Sequence, residues 1–176
     1  EDSHAWDSRP SACEVEKETG VPHFVGMVLE LRDRILAGPG GVDRPLTREE
    51  MLAWAAGVDL DAVDLSCHCE FSDDAYSRNG VLKNDHFELV VICWKAGQVS
   101  PIHDHGESKC LYLVTGGTMT EEIYRGGGSP RRAALVESRE WGRGDITLAD
   151  GPTIHRVCNL SDQDLVTIHL YSPPLP

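Results

Sequence analysis

The pattern of apolar positions changes near residue 70 of the 176-residue chain. Over 23–37 the apolar residues recur every three or four positions, which is typical of one face of a helix, and a glycine-rich run at 38–41 ends that pattern. Thr47 and Glu50 have the spacing of a capping box, so we predict a second helix that begins there and ends near Ala56. We therefore expect a helical preface over about 20–66.

Short apolar runs separated by glycine-rich turns begin at about residue 73. Many short strands with regular glycine punctuation indicate an antiparallel sandwich or barrel, which we place over about 73–171. The tail at 172–176 is rich in proline and cannot continue a sheet ladder, so we expect an extended closing tail. Because no repeat or linker is visible, we predict one domain over 1–176. The predicted strands are 87–94, 110–115, 119–124, 133–137, 146–148, 155–159 and 165–170.

The charge of the chain argues against two classes of partner. Sixteen basic and 29 acidic residues give a formal net charge of −13, which repels nucleic-acid phosphates and anionic lipid. No apolar run is long enough to cross a membrane, and residues 1–10 lack the pattern of a signal peptide. We therefore expect a cytoplasmic monomer with no nucleic-acid or membrane partner, in which most of the six cysteines are reduced.

Three histidines suggest a metal centre. His103 and His105 are two positions apart, so on one strand both imidazoles would point to the same face and could reach a single ion. His155 lies in a later strand-like run and offers a third imidazole. Three neutral imidazoles without a thiolate suit Fe(II), Zn(II), Cu(II) or Ni(II).

The spacing around these histidines matches both motifs of the cupin superfamily. The first motif normally places a glutamate ligand where this chain has Cys110, so the site resembles a cupin metal centre that lacks its carboxylate ligand. The resemblance implies a mainly β protein: a cupin-type, jelly-roll-like β-barrel with a short N-terminal helical segment. The matching positions are Gly97, His103, His105, Cys110 and Gly117 in the first motif, and Gly144, His155 and Asn159 in the second.

Three facial protein ligands leave up to three positions open on an octahedral ion. Two of these positions can take a chelating amine and thiolate, and the third can take dioxygen. Because the three imidazoles are neutral, the ion keeps its full positive charge and should hold a bound thiol as thiolate. The predicted site can therefore hold a chelating ligand and dioxygen at the same time.

Several further segments resemble cysteine dioxygenase, a thiol dioxygenase family within the cupins. The resemblance is strong over roughly 70–176 and implies an Fe(II)-dependent enzyme, with one iron per chain held by His103, His105 and His155. The matching segments are 76–79 (YSRN), 92–94 (ICW), 101–105 (PIHDH), Cys110, 155–157 (HRV) and 169–174 (HLYSPP).

The same resemblance implies roles for residues beside the metal. Arg78 would pair with the carboxylate of the substrate, and Tyr76 would lend its hydroxyl to the same group. Tyr171 would lie over the iron with its phenol fixed by His169. Cys110 matches a position that in some members forms a thioether cross-link with this tyrosine, and the Ser172–Pro173 bond corresponds to a cis peptide.

The implied reaction is addition of both atoms of dioxygen to the sulfur of L-cysteine, which gives cysteine sulfinate. One alternative is a dioxygenase for a related thiol such as 3-mercaptopropionate, although enzymes of that kind tend to carry Gln where this chain has Arg78. Another is a non-catalytic cupin that binds a metal, but such a protein has no need of Arg78, Tyr76 and Tyr171. A cupin enzyme that does not use iron is a further alternative, disfavoured by Cys110 in the glutamate position.

Overall fold

A computed structural model describes residues 43–126 and 133–176. Helix α1, Arg48–Ala56, begins where the sequence predicts: Thr47 Oγ1 accepts from the Glu50 amide at 3.3 Å, and the Glu50 carboxylate accepts from the Thr47 amide at 2.7 Å. A 3₁₀ turn follows at Ser66–His68. The helix predicted over 23–37 lies outside the described residues.

Eight strands follow in the described part of the chain, and each of the seven predicted strands corresponds to one of them with ends that differ by a few residues. The strand predicted at 133–137 is longer than expected, and the first strand was not predicted because it contains polar residues and a glycine instead of an apolar run. The strands are β1 Ser77–Lys83, β2 Glu88–Trp94, β3 Lys109–Gly116, β4 Met119–Arg125, β5 Ala134–Trp141, β6 Ile146–Ala149, β7 Ile154–Cys158 and β8 Leu165–Ser172.

The described strands form two antiparallel sheets. The larger sheet has the order β1-β2-β8-β3-β6, and the smaller has the order β5-β4-β7. Two isolated bridges, Val99 with Cys158 and His103 with His155, connect the segment after β2 to β7. This double-sheet arrangement confirms the mainly β, cupin-type prediction, although in the described residues the two sheets do not form one continuously hydrogen-bonded barrel.

The larger sheet is covered on both faces, so its central strands β2 and β8 are buried almost throughout. Val91 and Cys93 of β2 pack into a cluster that includes Met51 of α1. Ile92 and Trp94, on the opposite face, pack into a second cluster that includes residues of the smaller sheet. The space between the two sheets is therefore distinct from the helix-covered core.

The tail leaves the sheet after Ser172, the last residue of β8. The Ser172–Pro173 peptide bond is cis, and Lys83 Nζ donates to the Leu175 carbonyl at 3.0 Å. Among residues 43–126 and 133–176, no helix is long and apolar enough to cross a membrane. Cysteines 69, 93, 110 and 158 are free thiols, whereas Cys67 is disulfide-bonded and is an exception to the expected reduced state.

Two motif glycines provide a test of close packing. Gly97 and Gly117 both have φ of +81°, but a Cβ at Gly117 would lie 2.5 Å from the Asp164 carbonyl oxygen, whereas a Cβ at Gly97 would meet nothing within 4 Å. We expect Gly97→Ala to lower the free energy of unfolding by about 1–3 kcal/mol through backbone strain alone. Gly117→Ala should cost ~1–3 kcal/mol more, because backbone atoms must also move. Equal losses in chemical denaturation would contradict this.

Candidate metal centre

The three predicted histidines converge between the sheets. The backbone amides and carbonyls of His103 and His155 bond reciprocally at 2.9 and 2.8 Å, and His103 Nε2 lies 3.2 Å from His105 Nε2. One ring nitrogen from each of the three residues lies within 4.8 Å of the others. His103 and His105 do not lie on a regular strand, which corrects the expectation from their spacing: only His103 is in a bridge.

The ring orientations leave Nε2 facing the common centre. His103 Nδ1 bonds to the Pro101 carbonyl at 2.8 Å, and His155 Nδ1 bonds to Glu121 Oε1 at 3.0 Å. A ring nitrogen that bonds to an oxygen acceptor carries the proton, so the other nitrogen presents its lone pair. Glu121 is almost fully buried, which is costly for a carboxylate without such a partner.

The chemistry of this donor set fits a metal ion. Burial lowers the pKa of His103. For His105, burial is the largest cause and electrostatic interaction with His155 and His103 is the next; together they lower its pKa to about 3. Both imidazoles are therefore neutral near pH 7, which is the form that binds metals. Metal–nitrogen bonds of about 2.1 Å at right angles separate two nitrogens by about 3.0 Å, close to the 3.2 Å between His103 Nε2 and His105 Nε2. The set suits iron as well as other divalent transition metals.

A chain of polar contacts lies beside the histidines. Arg78 donates to the Tyr171 hydroxyl at 3.1 Å, and that hydroxyl lies 3.1 Å from His169 Nδ1. The other nitrogen of His169 lies 2.9 Å from the Thr167 hydroxyl, which accepts from the indole of Trp94 at 3.0 Å. Burial raises the pKa of Tyr171 and lowers the pKa of His169, so both side chains are neutral.

The remaining predicted site residues are also nearby. Tyr76 stacks on Trp94 with ring centroids 4.3 Å apart. Cys110 is fully buried and lies directly opposite Tyr171 in the pairing of β3 with β8. Burial raises the pKa of the Cys110 thiol, so it is protonated. Every residue that the sequence singled out therefore lies in or next to one region.

The cavity in this region is small, at about 20 Å³. That volume holds roughly one water molecule, so a ligand the size of an amino acid requires side chains to move. The lining comes from both sheets and from the loop that carries the first two histidines: Tyr76, Arg78, Ile92, Trp94, Ser100, His103, Tyr112, Val157, His169 and Tyr171.

Four polar residues of the site were not predicted: Ser100, Tyr112, Glu121 and Thr167. Tyr112 lies two residues after Cys110 on β3, so strand alternation could have placed it on the same face. Thr167 precedes His169 by two on β8 and follows the same rule. Glu121 gave no such signal, because an acidic residue in a strand next to a second glutamate is typical of a solvated face.

Comparison with known proteins places these residues in a family. The family model for cysteine dioxygenase type I matches residues 43–176. Human cysteine dioxygenase type 1 is 30% identical over 130 residues, which cover 72% of this chain and 65% of the human protein. The chain thus spans slightly less than two thirds of the length of that relative.

The similar solved structures concern the fold alone. The TT1209 protein from Thermus thermophilus has a TM-score of 0.54 at 16% identity, covering 63% of this chain and 95% of that one. The cupin domain of Schizosaccharomyces pombe Cnp3 has a TM-score of 0.51 at 8% identity, and the match covers 63% of this chain and 68% of that one. These likenesses support the cupin fold, and the family model covers most of the chain. The chain belongs to the cysteine dioxygenase type I family.

Proposed function

We propose that this chain is a mononuclear iron dioxygenase that converts L-cysteine and dioxygen to cysteine sulfinate. The observation that carries the proposal is the convergence of three imidazoles beside the Arg78–Tyr171 pair. The reaction adds both oxygen atoms to sulfur, so no further reductant is needed. The proposal includes one Fe(II) per chain in a monomeric, cytoplasmic enzyme.

His103, His105 and His155 are proposed to hold the iron through Nε2. The bound ion would supply a positive charge that favours thiolate over thiol, together with the redox chemistry that dioxygen requires. The protein orients the metal-binding side chains. Pro101 holds the ring of His103 and Glu121 holds the ring of His155 before any ligand binds. Such fixed ligands need not reorganise when the substrate binds.

Arg78 is proposed to bind the carboxylate of the substrate. Its guanidinium lies 5.1 Å from the centre of the Tyr171 ring, and its hydrogen bond is to a neutral phenol. A guanidinium has five N–H donors in a planar fork, so it can keep this bond and still bind a carboxylate with two others. The charge of Arg78 would then orient the thiol of the substrate toward the histidines.

Tyr171 and His169 are proposed to control a proton next to the reacting sulfur. The Tyr171 hydroxyl accepts from Arg78, so its own proton is free to point toward His169 or toward a substrate. His169 is in turn bonded to Thr167, which limits rotation of the imidazole. Tyr76, held flat against Trp94, is proposed to add a second hydroxyl donor for the carboxylate.

The first prediction concerns thiol oxidation by Fe(II)-loaded protein. We expect dioxygen uptake with L-cysteine, and we expect Arg78→Ala to lower kcat/KM for cysteine on the order of 10- to 100-fold by removing a charged hydrogen-bond donor. Oxidation of cysteamine, which has no carboxylate, should change little. Oxygen electrode traces, with sulfinate identified by mass, measure both.

Arg143→Ala is the matched control, because Arg143 forms a surface ion pair with Asp61. Uptake with 3-mercaptopropionate in preference to cysteine would favour the alternative substrate. The dioxygenase proposal is wrong if fully iron-loaded protein takes up no dioxygen with any of the three thiols. The chain would then be a metal-binding cupin without this activity.

A second prediction concerns the ring that Glu121 fixes. Glu121→Gln removes the charged acceptor of His155 Nδ1, and the affinity for Fe(II) should fall on the order of 10- to 100-fold. Glu122→Gln is the control, because the Glu122 carboxylate binds Arg156 and Tyr124 instead. Chelator competition measures both affinities. Equal affinities for the two variants would show that Glu121 does not support the metal site.

We also propose that Cys110 and Tyr171 form a thioether during turnover, with loss of two hydrogen atoms and dioxygen as the oxidant. Trypsin should then release peptides 110–125 and 157–176 joined together. Cys110→Ser should abolish the joined species, whereas Cys158→Ser should retain it. If the two peptides stay separate after turnover, the cross-link to Tyr171 does not form.

A further inference from the structure

Tyr112 has no role in the function proposed above, yet its hydroxyl lies among the metal-binding nitrogens. It is 3.0 Å from His155 Nε2 and 3.5 Å from His105 Nε2. The residue is buried, on the face of β3 that also carries Cys110. The hydroxyl therefore lies next to two of the three atoms that would bind iron.

The distances are those expected between donor atoms that share one ion. The separations of the oxygen from the two nitrogens, 3.0 and 3.5 Å, bracket the 3.2 Å between His103 Nε2 and His105 Nε2. Donor atoms about 2.1 Å from one ion lie about 3.0 Å apart in octahedral geometry and about 3.4 Å apart in tetrahedral geometry. The separations of the Tyr112 oxygen from the His155 and His105 nitrogens are therefore compatible with donation to one shared ion.

A metal changes what the hydroxyl can bond to. When Nε2 of His155 gives its lone pair to an ion, it can no longer accept a hydrogen bond from Tyr112. The ring of Tyr112 packs edge-on against His169 at 4.6 Å and against His155 at 5.7 Å between centroids, so in this structure its oxygen lies beside the histidine nitrogens. The oxygen lone pairs are then the groups that face the ion.

We propose that the phenolic oxygen of Tyr112 is a fourth protein donor to the metal centre. This inference rests on the proposed metal site at His103, His105 and His155. It places an oxygen donor two residues beyond Cys110, the position at which the cupin motif usually has a glutamate ligand. Because both positions lie on one face of β3, the longer side chain of Tyr112 reaches the same centre.

A fourth donor has a consequence for substrate binding. Four protein donors leave two open positions on an octahedral ion, whereas a chelating aminothiol and dioxygen together need three. Tyr112 must therefore leave the ion when the substrate binds. The small cavity, of about 20 Å³, also supports a displacement of Tyr112. Tyr112 is part of its lining, and its movement would enlarge the space available to an amino acid.

The test uses the full chain loaded with iron and oxidised to iron(III), with no thiol present. Phenolate bound to iron(III) gives a visible charge-transfer absorption, which we expect in the wild-type protein and not in Tyr112→Phe. Tyr171→Phe and Tyr124→Phe should keep the absorption. Tyr124 is the matched control, since it is a buried tyrosine whose hydroxyl bonds to Glu122.

The affinity for Fe(II) is a second readout. In chelator competition, Tyr112→Phe should bind on the order of 10- to 100-fold more weakly than Tyr124→Phe. Circular dichroism of the metal-free variants separates lost ligation from lost folding. If Tyr112→Phe does not fold, the wild-type spectrum alone decides, because a fully loaded protein without the absorption would overturn the proposal.

Other outcomes separate this inference from the proposed function. The visible absorption without any thiol oxidation would support Tyr112 as a donor and contradict the dioxygenase. Thiol oxidation by a protein that lacks the absorption, or a Tyr112→Phe variant that keeps both absorption and affinity, would contradict the fourth donor and leave the dioxygenase intact. A protein that binds no iron would contradict both.

Discussion

The reciprocal backbone hydrogen bonds between His103 and His155 are the constraint on which the site depends. They form one closely spaced antiparallel pair, which is the geometry that fixes two facing residues most firmly. The pair joins the loop after β2 to β7, so two proposed metal ligands from distant parts of the chain are held by their own main chains. The spacing of the ring nitrogens then depends on side-chain rotamers and on Pro101 and Glu121, with no need for a flexible loop to close.

Strand β8 supplies the other half of the site because it lies between β2 and β3. Thr167, His169 and Tyr171 alternate along it and share one face, so a single strand sets the order of the hydrogen-bonded chain from Trp94 to Arg78. A slip of one residue in the pairing would turn this face into the helix-covered core. The apolar residues of β8 that alternate with Thr167, His169 and Tyr171 pack on that core. Their burial therefore favours the register that keeps the three polar side chains at the site.

The sequence predicted the strands and the histidine set well, because glycine punctuation and motif spacing are local signals. It predicted the path of the first two histidines wrongly, because they lie on a loop and not on a strand. An i, i+2 spacing does not distinguish the two, since an extended backbone of either kind can direct both side chains to one centre. Strand β1 was missed because its polar residues and glycine do not form an apolar run. Tyr112 and Glu121 were missed for a related reason, since their significance depends on the facing histidines and not on neighbours in sequence.

The net charge of the chain is negative and repels anions, whereas Arg78 makes the proposed substrate pocket attractive to a carboxylate. A net charge of −13 spread over the surface is screened within about 8–10 Å at moderate salt, so it acts weakly on a small zwitterion that has reached the cavity. Arg78 is exposed to solvent, but its guanidinium donates to the buried Tyr171 hydroxyl beside that cavity, and the nearby imidazoles of His103 and His105 are neutral. The buried Glu121 bonds to Nδ1 of His155, on the other side of that ring from the nitrogen proposed to bind the metal. Recognition of a carboxylate in this acidic protein is therefore a local property, which one guanidinium can provide.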